Sequence, residues 1–156
     1  MENPRIYTQT SSGIQISVVP KFISKDSNPA IGKFIFSYDV EMVNTRKNTV
    51  KLLNRHWFIY ESILIKREVK GEGVVGVQPE IAPGESFHYT SWCPINSSMG
   101  KMVGKYEFID EVSKEKFSVQ IPEFIPVSYT HLRAHETVLD LVCRLMLEKK
   151  KIIYVV

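Results

Sequence analysis

The chain of 156 residues is long enough for one domain with a substantial core and too short for two ordinary ones. A hydrophobic share of 44%, a charged share of 24% and a net charge of +3 exclude a disordered chain and give no basis for a nucleic-acid groove. No apolar run reaches the roughly 18 residues of a membrane-spanning helix, the opening Met-Glu-Asn-Pro lacks a basic-then-apolar leader pattern, and Cys93 and Cys143 stand far apart. The expectation is a cytoplasmic protein, in a reducing compartment, that binds neither membrane nor nucleic acid.

Ile14, Ile16 and Val18 alternate with polar neighbours, and Phe34, Phe36, Tyr38, Val40 and Met42 repeat the pattern over a longer stretch. The period of two continues through Trp57 and Ile59, Ile63 and Ile65, Phe87 and Tyr89, Tyr106 and Phe108, and Phe117, Val119 and Ile121. That period sends successive side chains to opposite faces of a strand. Turn formers stand between the runs, at Asn28-Pro29, Asn44–Asn48, Gly71–Gly76, Pro83-Gly84 and Asn96–Gly100. Short alternating strands without a helical stretch between them predict an all-β sandwich of seven or eight antiparallel strands over residues 1–126.

From Val127 onward the material changes. Leu132, Leu139, Leu141, Val142, Leu145, Met146 and Leu147 approach helical spacing, and Lys149–Lys151 close the run, so a helix is expected over about 131–149. The residues from Val127 to Thr137, and again from Asp140 to Leu145, back-translate to runs that resemble the two ends of a common short-read sequencing adapter, in the right order and frame. Residues 127–156 are therefore read as a non-native tail, set aside from fold reasoning. The tail carries five of the 20 basic and three of the 17 acidic residues, which leaves the domain at +1. His131 and His135 have ligand-like i, i+4 spacing but belong to this tail.

Within the domain, Gly71-Glu-Gly-Val-Val-Gly76 has the form G-x-G-x-x-G. A dinucleotide site requires that pattern to open a helix, and Val77-Gln-Pro79 begins none. Two readings stand. In one, the glycines serve a tight corner between sheets; in the other, backbone N–H groups form a nest for a phosphate-type anion, helped by Lys70, Lys66 or Arg67, and Arg55. Next to it in chemistry is Arg55-His-Trp57, where strand alternation puts Arg55 and Trp57 on one face and His56 on the other. The candidate anion site is thus Gly71, Gly73, Gly76, Lys70, Arg55 and His56. Cys93 has no basic neighbour in sequence and reads as a buried thiol. His56, His88 and Cys93 include no close ligand pair, so neither a metal site nor a cofactor is expected. No nucleophile or metal-pair motif appears, and no catalytic residue is assigned.

Asn54-Arg-His-Trp57, Glu68–Gly76, Gln78-Pro79, Ala82-Pro-Gly-Glu-Ser-Phe87, Tyr89-Thr-Ser91, Cys93-Pro94 and Met102-Val-Gly104 follow the order seen in the ApaG family, and the chain resembles it over about residues 6–125. The resemblance implies a fibronectin type III-like sandwich and a small bacterial cytoplasmic protein linked to Co2+ and Mg2+ resistance or efflux. Related eukaryotic domains, in an F-box protein and a polymerase-interacting protein, imply a protein-interaction or ligand-binding module. The expected partners are a protein or a phosphate-type anion, with Mg2+ or Co2+ and a homodimer as further candidates. The alternative is a metal-dependent nucleotide pyrophosphohydrolase at the same loop, drawing on Glu68, Glu72 and Glu85. The chain departs from many relatives at Glu61-Ser-Ile-Leu64, apolar for a turn, and at Trp92, a bulky residue expected beside the pocket.

Overall fold

The computed structural model describes residues 5–61 and 66–128. Nine strands run in chain order: β1 (Tyr7–Ser11), β2 (Ile14–Phe22), β3 (Phe34–Asn44), β4 (Val50–Tyr60), β5 (Lys66–Glu72), β6 (Glu80–Ile81), β7 (Ser86–Ile95), β8 (Lys101–Asp110) and β9 (Lys116–Phe124). They form two antiparallel sheets, one in the order β1-β2-β3-β7 and one in the order β5-β4-β8-β9, with β6 added beside β4. This is the sandwich that the alternation predicts. The count exceeds seven or eight because β1 is a polar strand, Tyr-Thr-Gln-Thr-Ser, and β6 has two residues; neither leaves a period-two hydrophobic trace.

Period two accounts for the core. Ile14, Ile16 and Val18 of β2 and Phe36, Tyr38, Val40 and Met42 of β3 face Trp57 and Ile59 of β4, Tyr106 and Phe108 of β8, and Val119 and Ile121 of β9. Full burial of such a side chain is worth about 1.5–3 kcal/mol. Aromatic rings meet at the centre, Tyr38 and Trp57 at 5.4 Å and Trp57 and Phe124 edge-on at 5.9 Å. The buried hydroxyls of Tyr89 and Tyr106, one from each sheet, bond each other at 2.5 Å, so neither is left unsatisfied. Burial raises the pKa of both tyrosines. Lys101 is also buried, its ammonium 3.1 Å from the Glu123 carboxylate and 4.9 Å from the Tyr60 ring centre.

The two open sides of the sandwich differ. Along β9, the N–H of Gln120 donates to Ser11 Oγ at 2.8 Å and Ser12 Oγ donates to the Ser118 carbonyl at 3.4 Å, which ties β9 to the β1 end. On the opposite side, Arg67 of β5 reaches across to the carbonyl of Pro94 on β7 at 2.7 Å. At one end of the sandwich the chain runs two residues past the expected boundary, with Val127 bridged to Met99 and the Ser128 N–H donating to the Ser98 carbonyl at 2.8 Å. The predicted strand residues Ile63 and Ile65, and the predicted helix over 131–149, lie outside the described residues. Among the described residues no helix is long and apolar enough to cross a membrane.

Candidate functional site

A β-bulge sets the geometry of the glycine motif. Register between β4 and β8 slips at Leu53, between Leu52 opposite Phe108 and Asn54 opposite Glu107. Beside the bulge, the Leu53 carbonyl accepts from the Gly73 N–H at 2.8 Å and from Gln78 Nε2 at 3.0 Å. The glycine motif then closes as a hairpin. Val74 and Val77 exchange both backbone bonds, at 2.8 and 2.9 Å, across Val75-Gly76, and both turn residues have positive φ (43° and 81°). Two positive φ values are the mark of a tight two-residue turn that fits the twist of paired strands. Gly73, at φ 59°, is required twice over, because a Cβ there would stand 2.1 Å from the Val77 carbonyl oxygen.

These bonds decide what the motif can do. The N–H groups of Gly73, Val74 and Val77 already donate to carbonyls of the chain, and those of Val75 and Gly76 lie at the exposed tip. Arg55 lies over Gly71, whose absent Cβ would sit 2.7 Å from the guanidinium. It donates through Nη1 to the carbonyls of Glu72 at 2.9 Å and Gly73 at 3.0 Å. Arg55 therefore braces the hairpin through its carbonyl side. Arg55 meets Gly71 and Gly73, and Gly76 stands at the tip of the same hairpin, in the arrangement of a braced corner.

The neighbouring hollow, about 450 Å³, opens on the outer face of the second sheet and is lined by Asn54, Arg55, His56, Lys70, Gly71, Glu72, Lys105, Tyr106, Glu107 and Ser118. Cross-strand register explains its lining. Lys70 pairs with His56, and His56 with Lys105, so three basic side chains stand in one row across β5, β4 and β8. The next row holds Glu72, Asn54, Glu107 and Ser118, with Asn54 Nδ2 donating to Glu107 at 2.8 Å. On the other flank Glu68 accepts from His56 Nε2 at 2.5 Å and sits 3.4 Å from Lys70 Nζ. The His56 bond first, and Lys70 after it, hold the Glu68 carboxyl below the usual carboxylate range. Lys105 enters the hollow from a strand that sequence spacing alone could not place beside Lys70. Its signal was available in part, since Lys105 and Glu107 alternate with the core residues Tyr106 and Phe108 and must face outward.

The remaining sequence candidates scatter. His56 lies on the outer face of β4, His88 on the outer face of β7 in the other sheet, beside Glu41 at 3.1 Å, and Cys93 points into the core. Among the described residues no group of three His, Cys, Asp or Glu side chains could hold a metal ion. Cys93 does have a basic neighbour in space, Arg67 Nη2 at 3.4 Å from its sulfur, yet burial outweighs it and raises the thiol pKa. The expectation that Trp92 stands beside the pocket is wrong. Trp92 lies on β7, 55% exposed on the outer face of the other sheet, and takes no part in the hollow.

A family model described as the ApaG domain matches residues 24–110, more than half of the chain. The chain belongs to the ApaG family. It is 41% identical over 119 residues to Protein ApaG of Bradyrhizobium sp., covering 76% of this chain and 90% of that one. Protein ApaG of Bdellovibrio bacteriovorus is 44% identical over 110 residues, covering 70% and 86%. Among solved structures, a putative ApaA protein from Bordetella pertussis superposes with a TM-score of 0.72 at 37% identity, covering 74% of this chain and 94% of that one. The matched ApaG segment contains the bulge at Leu53, the glycine hairpin and the three strands that carry the basic row.

Proposed function

We infer that this ApaG domain is a non-enzymatic cytoplasmic binding module in divalent-cation (Co2+/Mg2+) homeostasis, and that it takes a phosphate-type anionic group at the hollow beside the glycine hairpin. The observation that carries the reading is the row Lys70, His56 and Lys105 on one open face. Glu68 already meets His56 and Lys70, so an anion with several oxygens would take Lys105 and displace that carboxylate from the other two. The hairpin has the part of a wall: the N–H groups of Gly73, Val74 and Val77 already donate to carbonyls of the chain, so the anion meets side chains rather than a backbone nest. Titration of the full chain with pyrophosphate, followed by amide NMR, tests this. Shifts confined to β4, β5 and β8, and lost in Lys70→Gln/Lys105→Gln, are expected. Shifts that spread evenly, or that persist in the double variant, would overturn it and leave a protein-interaction module without an anion site.

The alternative hydrolase needs a carboxylate cluster. Glu68 and Glu72 share β5, but Glu68 already accepts from His56, and Glu85 precedes β7 in the other sheet. Phosphate release from a nucleotide with Mg2+ or Co2+, co-purifying with the chain and lost in Glu72→Gln, is the result that would favour it.

A further inference from the structure

The sandwich has four strand edges, and they are unlike one another. β9 is tied to the β1 end by Ser11 and Ser12, and β1 itself has five residues. β5 reads Lys-Arg-Glu-Val-Lys-Gly-Glu, and so many charges on an edge discourage pairing with another chain. β7, with ten residues, has no Lys, Arg, Asp or Glu, and it pairs with β3 alone.

Bonds at the two ends of β7 fix which of its backbone groups point outward. The Glu85 carbonyl accepts from the Asn44 N–H, so odd-numbered residues turn toward β3. The Pro94 carbonyl turns the other way and accepts from Arg67. Proline fits there because a residue with no N–H is tolerated where the N–H would point away from the sheet. Both polar groups of a strand residue share a side, so His88, Thr90 and Trp92 present N–H and C=O outward. Those groups have no partner among the described residues.

We propose that β7 pairs antiparallel with β7 of a second copy, across a two-fold axis at Thr90, joining two four-stranded sheets into one of eight. The occupant is a second copy because the edge complements itself. A two-fold axis at Thr90 sets His88 of each copy opposite Trp92 of the other, on the outer face where both side chains are exposed. Aromatic cross-strand pairs of this kind are favourable, and no like charges meet along the strand. Arg67, bonded at Pro94, blocks the edge beyond Trp92 and so limits the register. An isologous contact closes on itself, whereas a long neutral edge left bare invites open-ended association.

Sedimentation equilibrium of the full chain, from micromolar to near-millimolar concentration, is the test. A reversible dimer is expected. Thr90→Pro removes the outward N–H at the axis and leaves the backbone ladder to β3 in place, with loss of the Thr90 Oγ1 bond to Asp39, for which Thr90→Val, which keeps the N–H and should keep the dimer, is the control. His88→Lys/Trp92→Lys puts lysine opposite lysine. Thr90→Pro and the double-lysine variant are each expected to weaken the dimer by at least roughly tenfold with an unchanged circular dichroism spectrum. His88→Lys/Trp92→Glu places opposite charges face to face and is expected to keep the dimer while making it salt-sensitive. A wild-type chain that remains monomeric at the highest concentration, or a dimer that survives both Thr90→Pro and the double-lysine variant, would overturn the proposal.

Discussion

Two turns in this molecule gather backbone N–H groups, and they use them in opposite ways. The Gly71–Gly76 hairpin has the glycine pattern associated with phosphate cradles, yet its inner N–H groups meet carbonyls of the same chain. The turn at 110–115 has no glycine and holds an anion. The N–H groups of Val112 and Ser113 donate to Asp110 Oδ1 at 2.9 and 3.0 Å, Asn48 Nδ2 reaches both carboxylate oxygens at 3.2 Å, and Arg46 Nη2 lies 3.5 Å from Oδ2. That anion is the chain's own side chain. The difference teaches that glycine spacing reports where φ must be positive. Anion capture depends on N–H groups that converge and are still free.

The contrast can be broken most forcefully at Gly73. Alanine there combines a positive φ with a Cβ against the Val77 carbonyl, and a loss of about 3 kcal/mol is expected by chemical denaturation. A loss below about 0.5 kcal/mol would mean that the hairpin does not require glycine at this point.

The second handle is the pH dependence of Asp110. The Ser113 N–H foremost, with Val112, Asn48 and Arg46, brings its pKa from 3.8 to about 2. A carboxylate depressed on folding stabilises the native state above its unfolded pKa, and that stabilisation is lost as pH falls through the folded value. Wild type should therefore melt above Asp110→Asn at neutral pH. The gap should close between about pH 4 and about pH 2, as thermal melts in that range would reveal. A gap independent of pH would assign the turn's stability to shape instead of charge.

The smallest effect is expected at Val75, a β-branched residue at φ 43° on the exposed tip of the hairpin. Val75→Gly relieves that conformation and should raise stability by about 1 kcal/mol, with no effect on the basic row. A destabilised variant would show that Val75 has a packing role at the tip.

Alternation made most of the sandwich legible, because each core strand buries one face. It also placed Arg55 on the side of Trp57 and His56 on the other, as found. A dinucleotide site requires a helix after Gly76, and the chain instead closes a hairpin and enters β6. What the spacing could not supply was register. His56 and Lys105 are 49 positions apart, and the bulge at Leu53 shifts the ladder that brings them together. Lys101 is a different failure. A lysine at the head of a strand reads as exposed, and only the approach of Glu123 and Tyr60 makes its burial tolerable.

The chain's two tryptophans occupy opposite extremes of environment, Trp57 at 2% exposure in the aromatic core and Trp92 at 55% beside the bare edge. This gives the molecule two intrinsic optical reporters that respond to different events. Iodide or acrylamide added to the folded protein reaches Trp92 first, so quenching of that ring follows occupancy of the β7 edge. The emission of Trp57 should shift to longer wavelength only when the core opens to solvent. With Trp92→Phe as the reference spectrum, a single fluorimeter cell can follow edge pairing and unfolding as separate signals from unlabelled protein.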